Sequence, residues 1–367
     1  MAEPRWSAFD KKCLRLACRL ARRAAGRTSP NPLVGAVLVR GEKIIASGFH
    51  KHAGGDHAEI DALKKAGAAA RGARLYINLE PCSHQGRTPP CADALIRAGI
   101  EEVVAGMKDP NPLVAGRGFT RLRRAGIRVR VGLLEDECRV LNEAFAKYIT
   151  RHLPFVTLKL AATLDGKIAS ASGDARWISG EPSRAFVHRM RNELDAVVVG
   201  AATVIADDPQ LTCRIPGGRN PKRIVLDGRL SIPLSAQLFR QSEPQKTIVV
   251  TGNQASLAKL RAIEALGAQV WRFSLRDKQI QWHALLKKLA RTGVVSLLIE
   301  GGARVAASAL KAKAVDKVVF FYAPKILGGD GKAMIESLGI RRVRQSIAIK
   351  QLAVRRYGGD LMVSGYF

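Results

Sequence analysis

Along the first 150 residues the apolar positions alternate between two periods. In FDKKCLRLACRLARRAAG (9–26) they recur every three to four places, the spacing of one helix face, and Gly26 offers a stop. LVGAVLVRGEKIIASGFH (33–50) breaks into two short runs around Gly41, the pattern of a hairpin. HAEIDALKKAGAAARG predicts a helix closed by Gly72, ARLYINLEP a strand, CADALIRAG a helix and IEEVVAGM a strand. FTRLRRAG and IRVRVGLL repeat the helix–strand pair. Such alternation predicts an α/β domain with a mixed sheet and helices on both faces.

The helical stretch LNEAFAKYITRHLPF closes before Pro154 and sets a boundary near residue 150, giving domains 1–150 and 151–367. Its Phe145, Tyr148 and Leu153 are candidates to pack across that boundary. Beyond it, FVTLKLAATLDGKIA opens a strand. AVVVGAATVIA, RIVLDG, TIVVTG, VVSLLIEGG and KVVFFYAP read as further strands, separated by helices such as QASLAKLRAIEALG and ARVAASALKAK. The second half is thus a second α/β domain. No internal repeat and no low-complexity linker intervenes, so the two domains are expected to lie close together.

Length agrees with this division, since 367 residues exceed what one hydrophobic core usually organises. Apolar residues make up 47%, yet no run approaches the roughly 18 uninterrupted apolar residues of a membrane span. The N-terminal stretch is basic without a continuous apolar segment, so it does not read as a secretory signal, and the expected location is the cytoplasm. Six cysteines are too few and too unevenly placed for a disulfide scaffold, which leaves thiols or metal ligands. The net charge of +29 raises the question of nucleic acid. The charge divides as +11 before residue 151 and +18 from residue 151 onward, with no detachable basic tail. A preference for anionic ligands accounts for it equally well, and neither nucleic acid nor a membrane is the expected partner.

The chemistry gathers around HAE and LEPCSHQGRTPPC. His57, Cys82 and Cys91 form a three-ligand set of the kind that leaves a fourth position on zinc open, the catalytic rather than the structural arrangement. Glu59 is then the proton carrier between attacking water and leaving amine. A helix starting near His57 puts His57 and Glu59 in one turn, and Cys91 precedes a helix whose N-terminus is expected to lower its thiol pKa. The alternative is that a His and two Cys are core residues by chance, and the prolines before each cysteine, Pro81 and Pro90, weigh against it. Cys13, Cys18, Cys138 and Cys213 read as small buried hydrophobes. In the second half, IEGGARVAAS supplies a strand, two glycines and a helix start whose amides suit a phosphate, although Gly-Gly is also ordinary turn chemistry. No GxGxxG is present.

TSPNPLVGAV, HAE, LEPCSHQGRTPPC and DPNPLVAGRG together resemble the deaminase half of the bifunctional riboflavin-biosynthesis deaminase/reductase family, over nearly all of residues 8–150. TLKLAATLDGKIASASGDARWISG, ADDPQLTCR and LLIEGGARVAASAL resemble its reductase half. The resemblance implies a cytidine-deaminase-like α/β/α domain followed by a dihydrofolate-reductase-like α/β domain. It implies zinc on His57, Cys82 and Cys91, with Glu59 as the catalytic acid/base and Asn31, His50, Arg87 and Asn111 around the pyrimidine. For Asn31 and Asn111, NP is also a turn signal in its own right. It further implies NADPH at Ala161, Trp177, Thr203, Asp207, Gly302, Ala303, Arg304, Val305, Ala306, Ala307 and Ser308. The phosphorylated product would lie against Lys159, Ala175, Arg191, Leu211, Arg214 and Glu300, where Ala175 replaces the family's usual serine. The expected substrates are phosphorylated pyrimidines and the expected assembly a homo-oligomer. Two other readings stay open. One is a tRNA or nucleobase deaminase with an appended domain, against which the long loop between the cysteines argues. The other is an active deaminase with a degenerate reductase, which Ala175 keeps in view.

Overall fold

The computed structural model describes residues 6–83, 89–276 and 279–367. The chain forms two compact units, Met1–Leu153 and Pro154–Phe367.

In the first unit, α1 (Ala8–Arg22) starts on a capping box in which Ser7 Oγ accepts from the Asp10 amide and Asp10 from the Ser7 amide. The hairpin β1 (Gly35–Arg40) and β2 (Lys43–Phe49) turns at Gly41, with φ +58°. α2 (Ala58–Ala66), β3 (Arg74–Leu79), α3 (Cys91–Arg97), β4 (Glu102–Met107), α4 (Arg117–Arg124) and β5 (Arg128–Val131) follow. The strands form a five-stranded sheet in the order β2-β1-β3-β4-β5, antiparallel on the hairpin side and parallel from β3 to β5. The helix predicted over LNEAFAKYITRHLPF is α6 (Glu143–Arg151), and a helix not expected from the sequence, α5 (Glu135–Leu141), precedes it across Asn142.

Alternation along β1 separates two cores. Ala36 and Leu38 face α2, α3 and α4 through Ala62, Leu95 and Leu122. Val37 and Val39 face α1, α5 and α6 through Leu14, Cys138 and Phe145. α2 lies so close to β2 that a Cβ on Gly48 would come within 2.5 Å of the Ala58 carbonyl oxygen. Phe145, expected at the domain boundary, belongs to this unit's own core. Cys13, Cys18 and Cys138 are buried as predicted, with Cys18 Sγ 3.8 Å from Cys138 Sγ, whereas Cys213 is only half-buried.

The second unit runs through β6 (Phe155–Thr163), β7 (Lys167–Ala169), α7 (Glu181–Glu193), β8 (Ala196–Gly200) and α8 (Ala201–Asp207). The single strand expected for AVVVGAATVIA is therefore corrected: it ends at Gly200, and the rest is helix. β9 (Lys222–Leu226), β10 (Thr247–Gly252), α9 (Leu257–Ala265), β11 (Gln269–Phe273), a short β12 (Leu275–Arg276) and β13 (Gln279–Ile280) pair, and α10 (Trp282–Arg291) come next. β14 (Ser296–Ile299), α11 (Ala303–Lys311), β15 (Lys317–Ala323), β16 (Lys332–Ala333), β17 (Lys350–Tyr357) and β18 (Asp360–Tyr366) complete the unit. The main sheet is nine-stranded, β11-β10-β9-β8-β14-β6-β15-β18-β17. It is parallel from β11 to β15, with the hairpin β17–β18 added antiparallel at one edge. Glycines at the ends of β8 and β14 admit Val305 of α11: a Cβ on Gly200 or Gly301 would meet its side chain at 2.8 Å. Among the described residues no helix is long and apolar enough to cross a membrane.

Candidate active sites

His57 is the N-cap residue of α2, in extended conformation, and Glu59 lies in that helix's first turn. Cys82 follows β3, and Cys91 opens α3 with its amide donating to Cys82 Sγ at 3.3 Å. His57 Nδ1 is 3.2 Å from Cys91 Sγ and 3.6 Å from Cys82 Sγ. All three ligand atoms lie within 4.8 Å of one another. Zinc with ordinary tetrahedral bonds sets nitrogen and sulfur ligands about 3.5 Å apart, so this donor set fits the ion in spacing and in softness.

Glu59 is 3% exposed, and burial, helped by the Cys82 sulfur, pushes its carboxyl up to about 7. Cys82 moves down to about 4, because the hydrogen bond from Cys91 outweighs burial and His57 adds to it. The same bond raises Cys91, and burial adds to the rise. α3 begins at Cys91, as expected, and Cys82 receives both the thiol and the amide of Cys91. His57 is raised, first by its hydrogen bond with Cys82 and against its burial.

These groups open on a cavity of about 430 Å³ whose lining includes His57, Glu59, Cys82, Asn31, His50 and Asn111. His50 Nδ1 lies 2.9 Å from the Asp56 carbonyl oxygen, which only accepts, so Nδ1 carries the proton. Its bare Nε2 then accepts from Asn31 Nδ2 at 3.1 Å, and Asn31 keeps its carbonyl oxygen as an acceptor for a ligand. Desolvation lowers the His50 pKa and favours this neutral ring. Asn111 both lines the cavity and forms the turn that NP suggests, its Oδ1 accepting from the Leu113 amide at 3.0 Å. Arg87 lies outside the described residues.

Several supports were not read from the sequence. Glu80, 3% exposed, accepts from the amides of Asp109, Gly116 and Phe119 and so folds the loop that carries Asn111. Asn78 and Asn142 hold the Asn31 loop. Asn78 bonds the Leu33 carbonyl and the Gly35 amide, and Asn142 bonds both backbone groups of Leu33. Asp109 also lines the cavity, and burial pushes its carboxyl up to about 6. For Asn78, Glu80 and Asp109 the sequence signal is their nearness to LEPC and DPNP, and Asn142 has none.

In the second unit, Arg191 of α7 and Glu300 beyond β14 form a bidentate pair, Nε to Oε1 at 2.7 Å and Nη2 to Oε2 at 2.8 Å. Burial would raise Glu300, but the Arg191 and Lys159 charges hold it below the usual range. Desolvation lowers the Lys159 pKa against the pull of Glu300. Leu211 is buried in a left-handed conformation, φ +56°, one residue before Thr212, whose carbonyl accepts from Arg191. The Arg214 amide donates to His188 Nδ1, and its guanidinium has no partner among the described residues. Ala175 is half-buried, with its carbonyl accepting from the Ile178 amide.

Of the residues expected at the dinucleotide, Trp177 is 62% exposed under the Arg184 guanidinium. Thr203 Oγ1 accepts from the Gly302 amide at 3.2 Å, and burial raises the Asp207 pKa. Ala161 packs beside the core. α11 is open only at its start. Gly302, Ala303 and Arg304 reach the surface, Val305, Ala306 and Ala307 are buried, and the Ser308 hydroxyl is engaged by Trp282 Nε1 and the Val305 carbonyl. The amides of Ala303 and Arg304 take no acceptor among the described residues, so this end of the helix fits a phosphate group.

Comparisons with known proteins agree with both halves. The family described as the cytidine and deoxycytidylate deaminase zinc-binding region matches residues 7–107, and the RibD C-terminal domain matches residues 154–363. A riboflavin biosynthesis protein RibD from Aquifex aeolicus is 46% identical over 97% of this chain and 98% of its own length. One from Escherichia coli is 37% identical over 96% and 98%. Solved structures of Acinetobacter baumannii RibD and of a Thermotoga maritima diaminohydroxyphosphoribosylaminopyrimidine deaminase/5-amino-6-(5-phosphoribosylamino)uracil reductase superpose with TM-scores of 0.86 and 0.85, at 37% and 39% identity, each over 98% of both chains.

Proposed function

The chain belongs to the RibD family of riboflavin biosynthesis proteins, and from that premise we propose how its two units divide the work. The first, ending at Leu153, hydrolytically deaminates 2,5-diamino-6-(5-phosphoribosylamino)pyrimidin-4-one. The second, from Pro154, reduces the ribosyl group of the resulting uracil to ribityl. The enzyme uses zinc for the first step and NADPH for the second. The observation that carries the reading is the meeting of His57, Cys82 and Cys91 with a buried Glu59 in one cavity.

In the deaminase, His57, Cys82 and Cys91 hold the ion, whose Lewis acidity makes water nucleophilic near neutral pH. Glu59, with a pKa of about 7, takes a proton from the attacking water as its oxygen bonds C2. It then gives the proton to the departing amino group, and the C2–N bond breaks to release ammonia. Asn31, oriented by neutral His50, accepts from an exocyclic amine, and Asn111 and Arg87 complete the binding set.

In the reductase, NADPH supplies hydride to C1 of the opened sugar. The start of α11 and Thr203 hold a phosphate of the cofactor, with Trp177, Asp207 and Ala161 along its length. Arg191 fixes Glu300 so that its oxygens face the sugar hydroxyls, Arg214 meets the phosphate, and Lys159, Ala175 and Leu211 border the pocket. The protein is further proposed to act in the cytoplasm as a homo-oligomer, without nucleic acid or membrane. Exposed Val343, Leu352 and Val354 around the edge strand β17 support self-association.

The test is mass spectrometry of the diaminopyrimidine substrate incubated with the protein, with and without NADPH. Conversion to the uracil without NADPH and to the ribityl product with it is the expected result. Unchanged substrate under both conditions would refute the reading.

A further inference from the structure

We propose that His188 is a positioning residue of the reductase, whose Nδ1 anchors the backbone of Arg214 and so holds that guanidinium where the substrate phosphate binds. This rests on the reductase reading above and goes beyond it by saying what sets Arg214 in place. Arg214 stands in an irregular stretch, residues 208–221, between α8 and β9. Without helix or sheet partners, the polar backbone groups of such a stretch must be met by side chains or water. One face of α7 meets several of them. His188, Arg191 and Asn192 are three and four positions apart, so their side chains share that face. Arg191 Nη1 donates to the Thr212 carbonyl at 3.1 Å, and Asn192 Oδ1 accepts from the Arg219 amide at 2.8 Å. Between them, His188 Nδ1 accepts from the Arg214 amide at 3.3 Å. Cys213 strengthens the junction, its amide donating to Asn220 Oδ1 at 2.9 Å and its thiol to the His188 carbonyl at 3.5 Å. The turn is tight: a Cβ on Gly218 would come within 2.5 Å of Cys213 Sγ. Of these anchors, only His188 Nδ1 holds residue 214 itself.

To accept, Nδ1 must be bare, which requires a neutral ring with its proton on Nε2. The surroundings favour that form. Burial and the charges of Arg191 and Arg214 lower the His188 pKa, against the opposing pull of Glu300 and the Thr212 backbone. Arg214 is exposed and its side chain long, so a fixed backbone reduces the conformations that must be given up when the guanidinium meets an anion. The phosphate is remote from the C1 that receives hydride. The anchor therefore acts on binding and not on the chemical step.

The experiment measures KM and kcat of the full-length, NADPH-saturated enzyme for the phosphoribosylaminouracil, in the wild type and in His188→Ala, His188→Asn and His188→Gln. An asparagine can place its oxygen where Nδ1 was, whereas a glutamine reaches the position of Nε2. His188→Ala should raise KM about fivefold, the size of one neutral hydrogen bond, with kcat within about twofold of wild type. His188→Asn should recover most of that loss, and His188→Gln should not. In an Arg214→Ala background, His188→Ala should add less than about twofold, because its effect passes through Arg214. NADPH binding, followed by fluorescence, reports that the second unit is folded. Should His188→Ala not fold, the contrast between the asparagine and glutamine variants carries the test. Additive losses in the two alanine variants, rescue by glutamine in place of asparagine, a fall in kcat alone or an unchanged KM would overturn the role of His188. If Arg214→Ala by itself leaves KM unchanged, the phosphate reading of Arg214 is what fails, and the anchor falls with it.

Discussion

Glu59 and the three ligands near it occupy a place where burial and function pull in the same direction. A carboxylate only 3% exposed would be a liability in most cores, but a value near 7 suits a group that both accepts and donates a proton. Glu59→Ala should keep about one zinc per chain and lose at least about 100-fold in kcat for ammonia release, because Glu59 is not in the ligand set. Loss of the metal in that variant, read by elemental analysis, would show that the carboxylate holds the ion. Arg214 is the corresponding case in the second unit. Its guanidinium has no protein partner to lose among the described residues, so Arg214→Ala should raise the reductase KM at least about tenfold and leave deamination untouched. An unchanged KM would return it to ordinary surface charge. The cluster of His57, Cys82, Cys91 and Glu59 was legible because the chemistry restricts residue type and spacing at once. Asn142 and Asn78 were not, since a buried amide that bonds two backbone groups looks in sequence like any loop asparagine.

Elements were legible where burial follows one period, and obscure where it does not. β1 alternates between two cores and was readable as a strand, whereas AVVVGAATVIA is one apolar run in which a buried strand and a helix start cannot be separated by pattern. β17 is exposed along nearly its whole length, so no alternation marks it. α1 shows how an element joins its sheet by charge as well as packing. Asp10 caps the helix and accepts from Tyr76 Oη at 2.5 Å, with Arg130 at 3.8 Å. Burial would raise its carboxyl, but the Tyr76 and Ser7 hydrogen bonds and the Arg130 charge hold it below the usual range. A carboxyl lowered on folding adds stability above its unfolded pKa, and that stability is lost as pH falls through the lowered folded value. Asp10→Asn should therefore lower the melting temperature of the first unit at pH 7, with the gap to wild type closing below about pH 4. A gap that stays constant on acidification would mean that Asp10 acts through shape and not through charge.

On the scale of the whole chain, each half has its own sheet and its own core, which is why two domains were readable. The helical stretch read as closing before Pro154 does end where the units divide, and the line drawn near 150 falls inside the last turn of α6. A cut there removes Arg151 and the C-cap His152, whose amide donates to the Tyr148 carbonyl, and so loosens the turn that carries Tyr148 and Ile149 along the cavity. A cut after Leu153 keeps α6 whole and lets β6, a central strand of the second sheet, begin its fragment. Every side chain assigned to deamination lies before that cut and every one assigned to reduction after it. Residues 1–153 should then fold alone and release ammonia from the diaminopyrimidine, and residues 154–367 should oxidise NADPH on the deaminated product. A fragment ending at 150 should lose thermal stability relative to one ending at 153, by an amount that a melting curve resolves. If both longer fragments fold but either is inactive, a residue from the other unit completes its site, and the division proposed between the two activities would have to be redrawn.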